Sequence, residues 1–131
     1  MFKALALTLF LASQPYVYDG DTIYYGKSGM RLHGIDAPEL AEKFGPEARD
    51  ALKSFLEGKD IQCIATESDK YHRFIVRCMV DDQDVSAWMV KNGWAYAYRK
   101  YSTDYVDLEK HARQHKLGMF QRAITKRFTG K

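Results

Sequence analysis

Residues 16–35 read YVYDGDTIYYGKSGMRLHGI, and this stretch decides the fold that the sequence predicts. The runs at 16–18, 22–25 and 30–35 are rich in the β-branched and aromatic residues that favour strands. The Gly-Lys-Ser-Gly segment at 26–29 is typical of a hairpin turn. Three consecutive strands are therefore expected at the start of the domain.

The remainder of the chain alternates helical and β-like segments. Gly45-Pro46-Glu47 opens a predicted helix, since Pro suits the first turn and Glu favours the positive end of the helix dipole. Gly58 is expected to end that helix. Further elements are predicted as strands at 61–65, 74–80 and 94–98, a helix capped by Asp84, and a last helix capped by Ser102 and ending at Gly118. This order predicts an α+β, mainly β, domain: a five-stranded OB-fold barrel with three helices.

Composition places few limits on function. The chain has 131 residues, enough for one domain, and 46% of them are hydrophobic. It contains no run of 18 apolar residues, which excludes a standard membrane-spanning helix. The net charge of +3 is compatible with an anionic partner without requiring one.

The two ends of the chain differ from its middle. The apolar stretch Ala4–Ala12 after Lys3 predicts a signal peptide over residues 1–14, although a buried first strand or helix would have the same composition. The structured domain is expected at 15–120. The basic tail at 121–131 either contacts nucleic acid or is simply solvated.

The two cysteines lie in the predicted strands 61–65 and 74–80. If these strands form a hairpin, Cys63 and Cys78 come nearly opposite each other, at a separation that suits a disulfide. An even number of cysteines in an exported protein favours the bridge, whereas a cytosolic protein would keep two buried thiols. Secretion or a periplasmic location is therefore predicted, with the cytoplasm as the alternative.

Two carboxylates are predicted to meet at the ends of the first hairpin. Pairing around Lys27-Ser28 brings Asp21 close to Asp36, and two adjacent carboxylates raise each other's pKa. A hard, oxygen-preferring divalent cation would account for such a pair. Both residues could equally be turn formers at strand ends.

Arg31 and Arg73 are candidate phosphate ligands. An arginine fork matches two non-bridging phosphate oxygens. Strict alternation places Arg31 and Asp36 on opposite faces, so a common site requires a bend near Gly34. The alternative is that both arginines form surface ion pairs.

Four motifs occur in a distinctive order: DGDT at 19–22, RLHGIDAPE at 31–39, FGPEA at 44–48 and DKYHR at 69–73. Together they closely resemble the thermonuclease family, the staphylococcal-nuclease-like domains. The similarity continues through 90–99 to Gly118-Met119-Phe120.

The resemblance implies a calcium-dependent nuclease that hydrolyses phosphodiester bonds of DNA and RNA with little sequence preference. Ca²⁺ would be bound by Asp21, Asp36 and the carbonyl of Ala37. Glu39 would position or deprotonate the attacking water, and Arg31 and Arg73 would hold the scissile phosphate. The implied contacts to substrate beyond that phosphate are Lys70, Tyr71 and Tyr98.

His72 stands where the family usually has Gly, which puts the placement of Arg73 in question if the turn needs a positive φ. A catalytically inactive OB-fold module that binds nucleic acid is the alternative function, and a protein-interaction domain is a third. The protein is expected to be a monomer with no stable membrane association after processing.

Overall fold

The computed structural model describes residues 14–100 and 102–121, together with the backbone of 7–11. The strands are β1 (Leu7–Leu11), β2 (Tyr16–Asp19), β3 (Thr22–Tyr25), β4 (Ser28–Leu32), β5 (Ile35–Asp36), β6 (Ile61–Ser68), β7 (Phe74–Val80), β8 (Gln83–Asp84) and β9 (Tyr96–Ala97). The helices are α1 (Gly45–Leu56), α2 (Val85–Lys91), α3 (Val106–Gln114) and a short 3₁₀ segment (Gly118–Gln121). The predicted α+β class with three α-helices is thus confirmed.

The described strands do not close into the expected five-stranded OB-fold barrel. They make one sheet in the order β1-β6-β7-β4-β3-β2, with β8 added beside β7, and a separate β5-β9 pair. The β4-β7 pairing is parallel and the others are antiparallel. The sheet stays open because β1 occupies the second edge of β6, while β2 pairs with β3 alone and packs against α1.

Helix α1 covers the core with one face. Its buried residues recur at helical spacing and include Ala48, Leu52 and Phe55. Gly58 follows the helix with φ 75°, as expected of a glycine after a C-terminus. The core beneath α1 is built from inward-facing residues of the sheet such as Ile23 and Val76.

The predicted cap of α2 is confirmed, whereas that of α3 is wrong. Asp84 accepts hydrogen bonds from the N–H groups of Ser86 and Ala87, at 2.9 and 3.3 Å. Ser102 lies too far before α3 to cap it, because the helix begins after Tyr105. The Ser102 hydroxyl instead accepts from the Asp104 N–H at 3.0 Å, which stabilises the preceding turn.

The β6-β7 hairpin carries the predicted disulfide. Cys63 and Cys78 are directly opposite in the register, are bonded to each other, and have Cα atoms 4.0 Å apart. Both are buried in the core. The bridge ties the two strands whose connecting turn holds residues 69–73.

Gly34 makes the bend that a common site requires. Its φ of 75° turns the chain out of the sheet, so that Ile35 and Asp36 pair with β9 instead. A Cβ at position 34 would lie 2.8 Å from the Tyr105 ring, so only glycine fits there. The bend brings Asp36 back toward β3 and β4.

Most of the predicted signal peptide and tail lie outside the described residues. Residues 1–6, 12–13 and 122–131 belong to this part of the chain. The backbone of Leu7–Leu11 pairs with β6, from Leu7 opposite Ala65 to Leu11 opposite Ile61. No helix among the described residues is long and apolar enough to cross a membrane.

Candidate active site

A buried carboxylate and a guanidinium form the centre of the site. Asp21, at the β2-β3 turn, is only 3% exposed. Its Oδ2 lies 2.6 Å from Nη1 of Arg31, and its Oδ1 accepts the Thr22 hydroxyl at 2.9 Å. Burial opposes the charge of Arg31, but the Asp21 carboxylate outweighs this effect and raises the pKa of the guanidinium.

Asp36 and Ala37 join this pair from the segment after the Gly34 bend. Nη2 of Arg31 lies 3.6 Å from Oδ1 of Asp36 and donates to the Ile35 carbonyl at 3.0 Å. The Ala37 N–H donates to Oδ2 of Asp21 at 2.7 Å. Partial burial raises the pKa of Asp36, and the charge of Asp21 raises it further against the opposing effect of Arg31. The structure therefore brings together the three predicted metal ligands around Arg31.

Asp19 is a member of this cluster to which sequence reasoning gave no role. It is 3% exposed, and its Oδ1 accepts the Asp21 N–H at 3.1 Å. Burial, followed by the neighbouring Asp21 carboxylate, raises the pKa of Asp19 to about 7. The Asp-Gly-Asp spacing could have indicated it, because the β-bulge between Val17 and Asp19 lets both acids turn inward.

The predicted water-handling residue, Glu39, is exposed at the edge of the cluster. Its backbone N–H donates to Oε1 of Glu42 at 2.7 Å, which anchors the loop before α1. Its charge is close enough to contribute to the raised pKa of Asp19. Within the described residues, no three His, Cys, Asp or Glu side chains converge in an arrangement that could hold a metal ion.

The turn between β6 and β7 positions Arg73. Asp69 accepts three hydrogen bonds at 2.8–2.9 Å, from the N–H groups of Tyr71 and Arg73 and from Nε of Arg73. Burial works against the charge of Asp69, but these hydrogen bonds prevail and lower the pKa of its carboxyl. His72 has a φ of 67°, so the turn does adopt the left-handed conformation that favours glycine. Arg73 is held at this turn even so.

Four predicted site residues line one cleft of about 370 Å³ on the outer face of the sheet. These residues are Arg31, Lys70, Tyr71 and Tyr98, and the acids Glu67 and Asp69 also line the cleft. The Tyr98 N–H donates to the Gly34 carbonyl at 2.9 Å. Arg73 does not line this cleft; its guanidinium lies 5.4 Å from the Tyr71 ring centroid at the rim.

Asp36 and Ala37 line a second, larger cleft of about 850 Å³. Lys43, Arg113 and Lys116 supply positive charge to its walls. Two of the three predicted metal ligands, Asp36 and Ala37, thus line this second cleft, whereas the predicted substrate contacts line the first. The contact between Arg31 and Asp36 links the two clefts.

Comparisons with known proteins agree with the motifs. The family model described as "Staphylococcal nuclease homologue" matches residues 29–122. An "Uncharacterized endonuclease" of Escherichia coli O157:H7 is 34% identical over 141 residues, which cover 94% of this chain and 92% of that protein. A Haemophilus influenzae protein with the same description is 30% identical over 111 residues, or 79% of this chain and 62% of that protein. "Staphylococcal-like nuclease CAN1" of Arabidopsis thaliana is 30% identical over 105 residues, or 79% of this chain and 32% of that protein. The family match and the similarity along nearly the whole chain show that this protein is a member of the staphylococcal nuclease homologue family.

Proposed function

We propose that this protein is a calcium-dependent nuclease that hydrolyses phosphodiester bonds of DNA and RNA with little sequence preference. The observation that carries the proposal is the Asp21–Arg31–Asp36 cluster, in which Asp21 is buried and Arg31 also lines a cleft together with Lys70 and Tyr71. Arg31 and Lys70 can contact a phosphate in this cleft, while the acids beside Arg31 can bind a cation. The relatives described as endonucleases support the same activity.

The residues of the cluster fit a calcium ion chemically. Asp21, Asp36 and the Ala37 carbonyl offer only oxygen atoms, which a hard divalent cation prefers. With Asp19 included, three carboxylates interact with Arg31. Burial first, and repulsion by the Asp21 carboxylate second, raise the pKa of Asp19 to about 7. A bound calcium ion would relieve that repulsion and would supply positive charge beside the scissile phosphate.

The chain's own residues are assigned the remaining chemistry. Arg31 binds the non-bridging oxygens of the scissile phosphate, and Arg73 does so with its two terminal nitrogens, since Asp69 takes only Nε. Glu39 accepts a proton from a water molecule as the water oxygen bonds to phosphorus and the bond to the leaving oxygen breaks. A solvent water protonates the leaving oxygen, and the proton on Glu39 then returns to solvent. The fixed guanidinium groups stabilise the negative charge that grows in the transition state.

We assign the binding of the substrate beyond the scissile phosphate to three residues, Lys70, Tyr71 and Tyr98. The Lys70 ammonium lies 5.3 Å from the Tyr71 ring centroid, so a phosphate and a base could be held side by side. These groups bind backbone charge and base faces rather than base edges. Cleavage should therefore depend weakly on sequence.

We assign the sheet to an open form of the OB fold and the protein to an oxidising compartment outside the cytoplasm. A three-stranded meander whose last strand runs parallel to β7 is compatible with a partly open Greek-key barrel. The Cys63–Cys78 disulfide supports export, because cytosolic thiols are kept reduced. The protein is taken to act as a monomer.

The test of this function is degradation of plasmid and single-stranded DNA and of RNA by the purified protein, with calcium or with a chelator. Glu39→Gln is the active-site variant, and Glu47→Gln, an exposed change in the first turn of α1, is the matched control. Calcium-dependent cleavage that falls about 10²–10⁴-fold in Glu39→Gln alone is the expected result. Tight binding without cleavage in either condition would instead show a nucleic-acid-binding module.

A further inference from the structure

Three tyrosines lie side by side on the outer face of β2 and β3. Tyr16 is 66% exposed and Tyr18 is 44% exposed, while Val17 between them is buried in the core. Tyr16 is directly opposite Tyr24 in the register, and the rings of Tyr18 and Tyr24 meet edge to face with centroids 6.4 Å apart. We call Tyr16, Tyr18 and Tyr24 the tyrosine face; the hydrophobic core makes little use of its rings.

The strand register places the tyrosine face on the same side of the sheet as the active-site cleft. Tyr24 is opposite Gly29, and two residues further along the same strands Thr22 is opposite Arg31. Arg31 is in turn opposite Ile75 on β7, and both line the cleft. Because side chains two residues apart share a face, the tyrosines and Arg31 point the same way.

Gly29 removes the side chain that would otherwise separate the tyrosines from the cleft. A Cβ at this position would lie 3.1 Å from Cγ of Arg73 and 3.1 Å from Cε2 of Tyr24. The stem of Arg73 and the ring of Tyr24 therefore approach each other across the bare backbone. Since the Arg73 guanidinium also lies over the Tyr71 ring, rings and cations follow one another from β2 to the rim of the cleft.

We propose that the tyrosine face binds a single-stranded segment of nucleic acid that leads into the cleft, with its bases stacked on the tyrosine rings. The proposal rests on the proposed function, because the strand is the substrate held at Arg31 and Arg73. Aromatic rings beside backbone-binding cations are the means by which proteins bind single strands without reading sequence. The Tyr16 and Tyr18 side chains are exposed and Tyr24 is half-buried, while Arg31 and Lys70 at the cleft are complementary to phosphate.

The dimensions set the length of strand that can be bound. From β7 across β4 and β3 to β2 there are three strand-to-strand steps, which at about 4.8 Å each span about 14 Å. A stacked single strand advances about 3.4 Å per nucleotide, so about four nucleotides beyond the scissile phosphate would cross this surface. A substrate shorter than this cannot reach Tyr16 and Tyr18.

The test compares cleavage of a thymidine tetranucleotide and a thymidine dodecanucleotide with calcium present. Tyr16→Leu/Tyr18→Leu keeps apolar, strand-compatible side chains but removes the rings, and Tyr16→Phe/Tyr18→Phe is the matched control that keeps them. Binding of a fluorescein-labelled dodecanucleotide is measured by anisotropy in chelator, and thermal unfolding of each variant is recorded.

The expected result is a preference of the parent for the dodecanucleotide that falls at least about fivefold in the leucine variant, through KM rather than kcat. The phenylalanine variant should retain that preference, and tetranucleotide cleavage should be equal in all three proteins. The proposal would be overturned if the parent showed no preference for the dodecanucleotide, or if the leucine variant kept that preference. It would also be overturned if the leucine and phenylalanine variants lost the preference equally. If the parent cleaves neither oligonucleotide, the proposed function fails. The tyrosine face is then tested by anisotropy in chelator, in which the leucine variant, and not the phenylalanine variant, should bind the labelled dodecanucleotide more weakly than the parent.

Discussion

Opening the Cys63–Cys78 disulfide should lower stability by a predictable amount without harming catalysis. The bridge joins residues separated by 15 positions in the sequence. The chain-entropy model gives about 3 kcal/mol for a loop of this size. For a chain of this length, 1 kcal/mol corresponds to about 3–6 °C in the melting temperature, so a decrease of about 9–18 °C is expected.

Catalysis should survive because the active-site turn has its own bonds. Asp69 binds both the N–H and Nε of Arg73, and its own N–H donates to the Arg73 carbonyl at 2.8 Å. These contacts hold the turn whether or not the far end of the hairpin is bridged. Below the transition, kcat at 25 °C should therefore stay within about twofold of the parent, a barrier change of about 0.4 kcal/mol.

The assay is thermal and denaturant unfolding of the oxidised parent, the parent kept in reductant, and the Cys63→Ala/Cys78→Ala variant, with kcat measured for each. The reduced parent is the matched control, because it keeps both buried sulfur atoms and loses only the bond. A loss below about 1 kcal/mol in the reduced parent would refute the loop-closure reasoning. A fall in kcat of a protein that is still folded would refute the independence of the turn.

Four further changes test the site. The pKa of Asp19 is about 7 in the folded chain and 3.8 in the unfolded chain, so between these values the folded chain binds more protons and the parent loses stability as pH rises. Asp19→Asn removes this loss. In chelator it should therefore raise the melting temperature most at pH 8 and hardly at all near pH 4. Asp21→Asn should shift the calcium titration of activity to higher concentration, with part of the activity restored at saturation; an unchanged titration would remove Asp21 from the ligand set. Arg73→Lys keeps the charge but loses the fork and the Nε bond to Asp69, so kcat should fall about 10²-fold or more; a value within threefold of the parent would contradict its role. Lys70→Ala should raise KM for single-stranded DNA with a smaller effect on kcat, because it is assigned to a phosphate that does not react; the reverse pattern in steady-state kinetics would reassign it to the chemistry.

Short-range signals in the sequence were sufficient for several features. The alternation and turn residues of 61–80 predicted the hairpin and hence the cysteine pairing, which the register confirms. The Asp84 cap and the Gly58 terminus were likewise predicted, since each depends on contacts within a few residues. The ordered motifs predicted family membership, which the comparisons confirm.

Features that depend on distant parts of the chain were decided only by the tertiary structure. The sheet opened rather than closing because β1 paired with β6, a choice between edges that local propensity does not determine. The burial of Asp19, and with it the raised pKa, depends on the packing of the β2-β3 turn beside Ala37 and α1. The sequence indicated the bend at Gly34, but not the strand with which the following segment pairs. That segment, β5, pairs with β9, about 60 residues further along the chain, and this pairing positions Asp36 beside Arg31. Hydrophobic periodicity predicts structure over a few residues. Each of these arrangements depends instead on how the whole core buries its apolar surface, which involves residues far apart in the sequence.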